Sequence, residues 1–113
     1  MRIYIPRLAD SWLRELVDDV PGVMIVGSRA SGKTTSAIRL SNRVFRPDND
    51  EIRLSLAGDL DAVLSDAEPP VLVDEWQLAP SCLAAAKRLI EANPQPGSFV
   101  FTGSATDTLR SDA

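Results

Sequence analysis

The sequence contains no histidine and a single cysteine, Cys82. Without an imidazole there is no Ser-His-Asp triad, no Cys-His dyad and no His-ligated zinc site. One thiol forms no internal disulfide, which fits a reducing compartment and makes the cytoplasm the expected location. Long apolar runs are also missing: the longest are a handful of residues, too short for a helix that spans a membrane. The N-terminal Met1-Arg2-Ile3-Tyr4-Ile5-Pro6 lacks the apolar core of a signal peptide. There is no excess of positive charge. The net charge of −4 and a pI near 4.7 argue against a broad nucleic-acid-binding face.

What remains is ordinary for a globular protein, 44% apolar and 25% charged. The 113 residues suffice for one domain that buries about two thirds of its unfolded surface. The chain is organised around Gly27-Ser28-Arg29-Ala30-Ser31-Gly32-Lys33-Thr34, preceded by the apolar Val23-Met24-Ile25-Val26. This is a complete G-x-x-x-x-G-K-[ST] pattern between a strand-like and a helix-competent run, the context that a phosphate-binding loop requires. Glycines at both ends let successive backbone N–H groups converge on a β-phosphate. Lys33 brings a compact charge to the β- and γ-phosphates, and the Thr34 hydroxyl can coordinate Mg²⁺. A helix starting near Lys33 adds its positive dipole end to the site.

Along the chain, Leu13, Leu16, Val17 and Val20 have helical spacing within residues 11–20, with Asp10 or Ser11 as the cap and Pro21-Gly22 as the stop. Residues 23–26 read as a parallel strand covered on both faces. The phosphate-site helix is expected over residues 33–42, with Ala37, Leu40 and Val44 inward. Arg46–Glu51 is a polar, Pro-containing loop, and the alternation of Ile52, Leu54 and Leu56 predicts a strand. Gly58-Asp59 opens a short helix through Leu60, Val63, Leu64 and Ala67, which Pro69-Pro70 stops. Val71-Leu72-Val73 is a buried strand. A helix over 81–92 puts Leu83, Ala86 and Ile90 on one face, with Cys82 as a small packing residue. After the Asn93–Gly97 turn, Phe99-Val100-Phe101 is an apolar strand that ends at Thr102-Gly103-Ser104. The alternation of strand and helix predicts a three-layer α/β/α sandwich with a parallel sheet, a single domain over 1–113, and every polar motif on one rim.

On that rim, Asp74 follows an apolar strand and is placed to hold Mg²⁺ together with Thr34. The adjacent Glu75 can orient and deprotonate an attacking water, which favours hydrolysis over transfer to a second substrate. Thr102 and Ser104 end their strand where a hydroxyl can contact a γ-phosphate or the water, or simply close a turn. Trp76 is left without a role. Arg29 faces solvent or phosphate, and Tyr4, Pro6 and Arg7 lie where the base could be approached.

Together the loop Gly27–Thr35, the strand Val71-Leu72-Val73-Asp74-Glu75-Trp76-Gln77 with Pro80 after it, and Phe99-Val100-Phe101-Thr102-Gly103-Ser104 resemble the AAA-type ATPases of a prokaryotic family whose members usually carry a DUF4143 domain behind the ATPase module. The likeness covers roughly residues 4–105. It implies ATP binding and Mg²⁺-dependent hydrolysis on an additional-strand, catalytic-glutamate P-loop core with strand order 1-4-3-2. Gly27, Ser28, Arg29, Ala30, Ser31, Gly32, Lys33, Thr34 and Thr35 then surround the phosphates, with Lys33 and Thr34 as the Walker A pair. Asp74 is the Mg²⁺ ligand, Glu75 the catalytic base, and Thr102 or Ser104 the sensor-1 residue. The chain stops about ten residues after Ser104, so the resemblance also implies that the family's fifth strand and an arginine finger are missing and that turnover is slow; a neighbouring copy or a C-terminal partner domain would supply the arginine. The strand at 23–26 would then be a sheet edge unless residues 2–5 or another chain cover it.

The alternative to an ATPase is a switch that binds ATP with negligible turnover. A small-molecule kinase is disfavoured because the 43–51 loop is acidic and short for a phosphate-clamping lid. A GTPase is disfavoured because Asn42, Asn49 and Asn93 are followed by Arg, Asp and Pro rather than by an N-K-x-D pattern.

Overall fold

A computed structural model describes residues 2–4, 10–27, 37–46 and 60–104. In chain order these form β1 (Arg2–Tyr4), α1 (Asp10–Asp19), β2 (Gly22–Gly27), β3 (Arg43–Phe45), α2 (Leu60–Asp66), β4 (Val71–Val73), a 3-10 turn (Trp76–Leu78), α3 (Pro80–Ala92) and β5 (Phe99–Ser104). The end of a further helix covers residues 37–39.

The five described strands make one sheet in the order β1-β2-β5-β4-β3, and every pairing is parallel. Without β1 this is the expected order 1-4-3-2, with β5 between β2 and β4. The flank of β2 is not an open edge. Arg2, Ile3 and Tyr4 pair with Val23, Met24 and Ile25, so the chain's own first strand satisfies those backbone groups.

Strand periodicity divides the core into two layers. Val23 and Ile25 of β2, Leu72 of β4 and Val100 of β5 face one side, where they pack with Leu13 and Val17 of α1 and with Ala37 and Leu40. Met24, Val26, Val71, Val73, Phe99 and Phe101 face the other side, with Leu64 of α2 and Cys82, Ala85 and Ala86 of α3. Both faces are apolar because helices cover both, which is why these strands read as continuous hydrophobic runs rather than as alternating ones. On α3, Cys82, Ala85 and Ala86 form the buried stripe, while Leu83 and Ile90 are only partly buried beside them. Burial pushes the Cys82 thiol above its ordinary pKa, so it is a packing group and not a nucleophile. Across the helical layer, the Arg88 guanidinium meets the Asp61 carboxylate at 2.7 Å on the surface and holds that carboxyl below its usual range.

One expectation is corrected. The strand beside β4 is Arg43–Phe45, a segment that the periodicity of Ala37, Leu40 and Val44 assigns to the end of a helix and its exit. The chain leaves the helix because Ser41 Oγ donates to the Ala37 carbonyl at 2.7 Å, and the Asn42 N–H and Nδ2 donate to the Pro70 and Pro69 carbonyls at 2.9 and 2.7 Å. These bonds deliver Val44 and Phe45, both strand formers, to the edge of β4. The alternating segment 52–56 lies outside the described residues.

At the rim where the strands begin, the turn into β5 closes on the end of α1. The Gly97 N–H donates to the Val20 carbonyl at 2.9 Å, and Gly97 has φ 73°, a left-handed conformation that a side chain resists. A Cβ there would lie 3.7 Å from the Val17 carbonyl, an ordinary contact. The cost of Gly97→Ala therefore comes from the backbone alone. Urea unfolding is expected to show a loss of about 1–2 kcal/mol; an unchanged midpoint would contradict the left-handed assignment.

Candidate functional site

Parallel pairing puts the C-terminal ends of all five strands on one rim. Gly27 ends β2 opposite Ser104, the last residue of β5, and β4 runs into Asp74 on the far side of β5. The start of the glycine loop, the two consecutive acids and the Thr-Gly-Ser terminus thus converge. Ser28, Arg29, Ala30, Ser31, Gly32, Lys33, Thr34 and Thr35 lie outside the described residues, as do Pro6 and Arg7; Tyr4 ends β1 beside Ile25.

Register determines which side chains meet there. Leu72 pairs with Val100, and both face α1. Two residues further along each strand, on the same face, are Asp74 and Thr102. The Thr102 hydroxyl donates to Asp74 Oδ1 at 2.6 Å and accepts the Glu75 N–H at 2.8 Å. Among the described residues Thr102 is the one fully buried polar side chain. A buried hydroxyl is costly unless bonded, and this one uses its single proton on the carboxylate. The Asp74 N–H donates in turn to the Phe45 carbonyl at 2.9 Å, so β3 carries the backbone of the first acid.

Glu75 is the one described non-glycine residue with positive φ (φ 54°, ψ 65°). Such a backbone costs about 1–2 kcal/mol. A hydrogen bond between neutral groups contributes a comparable amount, roughly 0.5–1.5 kcal/mol, so the Glu75 N–H bond to Thr102 offsets much of that cost. Two further contacts fix the turn. The Leu78 N–H donates to the Glu75 carbonyl at 3.0 Å, and Trp76 is buried in the cluster beneath α2 and α3. The aromatic that had no role in the sequence is therefore the anchor of the turn that carries Glu75. Gln77 Nε2 lies 3.5 Å from both the carbonyl and the hydroxyl oxygen of Ser104, which ties the same turn to the end of β5.

Asp74 and Glu75 are half-buried, at the lip of the rim rather than inside the core. Among the described residues no group of three or more His, Cys, Asp or Glu could form an all-protein metal cage. A single carboxylate at the rim does fit Mg²⁺, which keeps several waters in its shell and needs only one or two protein carboxylates. At the opposite rim, a shallow cavity of about 180 Å³ lies between Leu64, Val71, Leu89, Ile90 and Phe99, far from these acids. No described helix is long and apolar enough to cross a membrane.

A family model described as "AAA domain" matches residues 19–113. No curated protein and no solved structure matches the chain.

The strain at Glu75 can be read thermodynamically. Glycine pays nothing for a left-handed backbone, whereas alanine keeps the penalty and loses the carboxylate equally. Glu75→Gly is expected to melt above Glu75→Ala, with a difference of roughly 1 kcal/mol. Equal or reversed melting temperatures would show that the residue is not held in this conformation.

Proposed function

The chain belongs to the AAA-domain family, and on that premise we propose that it binds ATP with Mg²⁺ and hydrolyses the γ-phosphate. Nucleotide binding follows from the family; the hydrolytic step and its residues are our reading. The observation that carries it is the pair Asp74-Glu75 on the rim where Gly27 ends β2, with the first acid bridged to Thr102 and the second lifted by its own backbone turn.

In this reading the backbone N–H groups of Gly27–Thr35 cradle the phosphates and Lys33 offsets their charge. Thr34 and Asp74 would hold Mg²⁺, which when bound neutralises charge on the β- and γ-phosphate oxygens. Glu75 orients a water in line with the γ-phosphorus and takes its proton as the new P–O bond forms and the bond to the β–γ bridging oxygen breaks, leaving ADP and inorganic phosphate. The two carboxylates divide their tasks, the first on the metal and the second on the water. Ser104, at the end of β5 opposite Gly27, contacts the γ-phosphate or the water.

Titration with ATP and GTP, with and without Mg²⁺, alongside phosphate release tests the proposal. ATP is expected to bind more tightly with Mg²⁺ and to be turned over. Glu75→Gln is expected to keep ATP affinity while phosphate release falls by about 100-fold or more. Unchanged release in that variant would remove Glu75 as the base. ATP affinity without release in the unmodified chain would make the protein a nucleotide-binding switch, and failure to bind ATP would overturn the proposal.

A further inference from the structure

Thr102 stands at the position where a resemblance to AAA-type ATPases implies a residue that touches the γ-phosphate, yet its geometry serves a different purpose. A hydroxyl has one proton. The Thr102 hydroxyl donates that proton to Asp74 Oδ1 at 2.6 Å, and the Glu75 N–H donates to the Thr102 hydroxyl oxygen at 2.8 Å. The side chain is fully buried beneath the rim, so it has no proton to offer a phosphate and no exposed surface from which to offer it.

We infer that Thr102 is a positioning residue: one buried hydroxyl aligns the metal-holding acid and the water-activating acid relative to each other, and the phosphate-contacting duty on β5 falls to Ser104. The inference rests on the proposed hydrolytic reading for its catalytic consequence, but the bridge itself is a feature of the fold. Two observations converge on it. Strand register dictates the meeting, because 74 and 102 are the next same-face positions after the Leu72–Val100 pair. The strained backbone of Glu75 needs an external hold, and its N–H is bonded to this oxygen. One hydroxyl thus joins the Asp74 carboxylate to the Glu75 backbone.

The neighbouring Gln77–Ser104 contact carries the same logic outward, two residues further along β5 and into the 3-10 turn that follows Glu75. Alternate positions on β5, 102 and 104, grip the segment 74–77 at successive points. The D-E-x-Q and T-x-S motifs, far apart in the chain, form one clasp.

The test compares Thr102→Val, which keeps the shape and removes the hydroxyl, with Thr102→Ser, which keeps the hydroxyl. Affinity for the fluorescent analogue mant-ATP is measured with and without Mg²⁺, and phosphate release gives kcat and KM. Thr102→Val is expected to bind mant-ATP normally without Mg²⁺, to lose the gain in affinity that Mg²⁺ brings, and to lose about 10- to 100-fold in kcat with little change in KM, as for other groups that orient a metal ligand. Thr102→Ser is expected to restore both. A Val variant with the unmodified protein's kcat and Mg²⁺ response, or a Ser variant as impaired as Val, would overturn the inference. Should the unmodified chain bind mant-ATP but release no phosphate, the hydrolytic reading fails while the Mg²⁺ response still decides the role of Thr102. Should Thr102→Val not fold, amide exchange in the unmodified protein decides: a protected Glu75 N–H supports the bridge, and free exchange at Glu75 refutes it.

Discussion

The site depends on the alignment of β4 against β5. Because Leu72 lies opposite Val100, the next same-face residues, Asp74 and Thr102, lie opposite each other, and a buried hydroxyl joins them at 2.6 Å. A slip of one residue would send Thr102 to the α3 face and leave Asp74 against a glycine. The register is itself secured from both faces, by Leu72 and Val100 under α1 and by Val71, Val73, Phe99 and Phe101 under α2 and α3. The packing of two apolar layers thus sets the position of two charged groups that contribute nothing to that packing.

The turn after β4 shows how a fold stores a costly conformation where chemistry needs it. Glu75 adopts a backbone that its side chain disfavours, and three contacts hold it there: its own N–H to Thr102, its carbonyl to Leu78, and the burial of Trp76 one residue on. Strain of this kind persists only where its surroundings over-determine it. The rim opposite closes its loop at Gly97, which adopts a left-handed backbone without that cost.

Much of this was legible in the residues. Apolar runs at 23–26, 71–73 and 99–101 announced covered parallel strands, and the alternating helices announced a three-layer sandwich with its polar motifs on one rim. The short strand at Arg43–Phe45 was hidden because Ala37, Leu40 and Val44 keep helical spacing; the helix is ended by hydrogen bonds to Pro69 and Pro70, distant residues that no local pattern reveals. The covering of β2 by residues 2–4 was one of the alternatives the sequence left open. The role of Thr102 was out of reach for a similar reason. Periodicity says which face a strand residue takes, but not which residue of another strand it meets. An aromatic at Trp76 reads as packing before function, but what it packs against came into view only with the cluster under α3.

The central claim is that a nucleotide and its metal sit on the rim shared by Gly27, Asp74, Glu75 and Ser104. Replacing Mg²⁺ with paramagnetic Mn²⁺ in the ATP complex, and following backbone amide signals, tests it most directly. The account predicts that ATP-dependent broadening is strongest at Gly27, Asp74, Glu75 and Ser104 and absent from Asn93–Ser98 at the opposite rim. Broadening centred on Asn93–Ser98, with the Asp74 and Glu75 signals untouched, would contradict it.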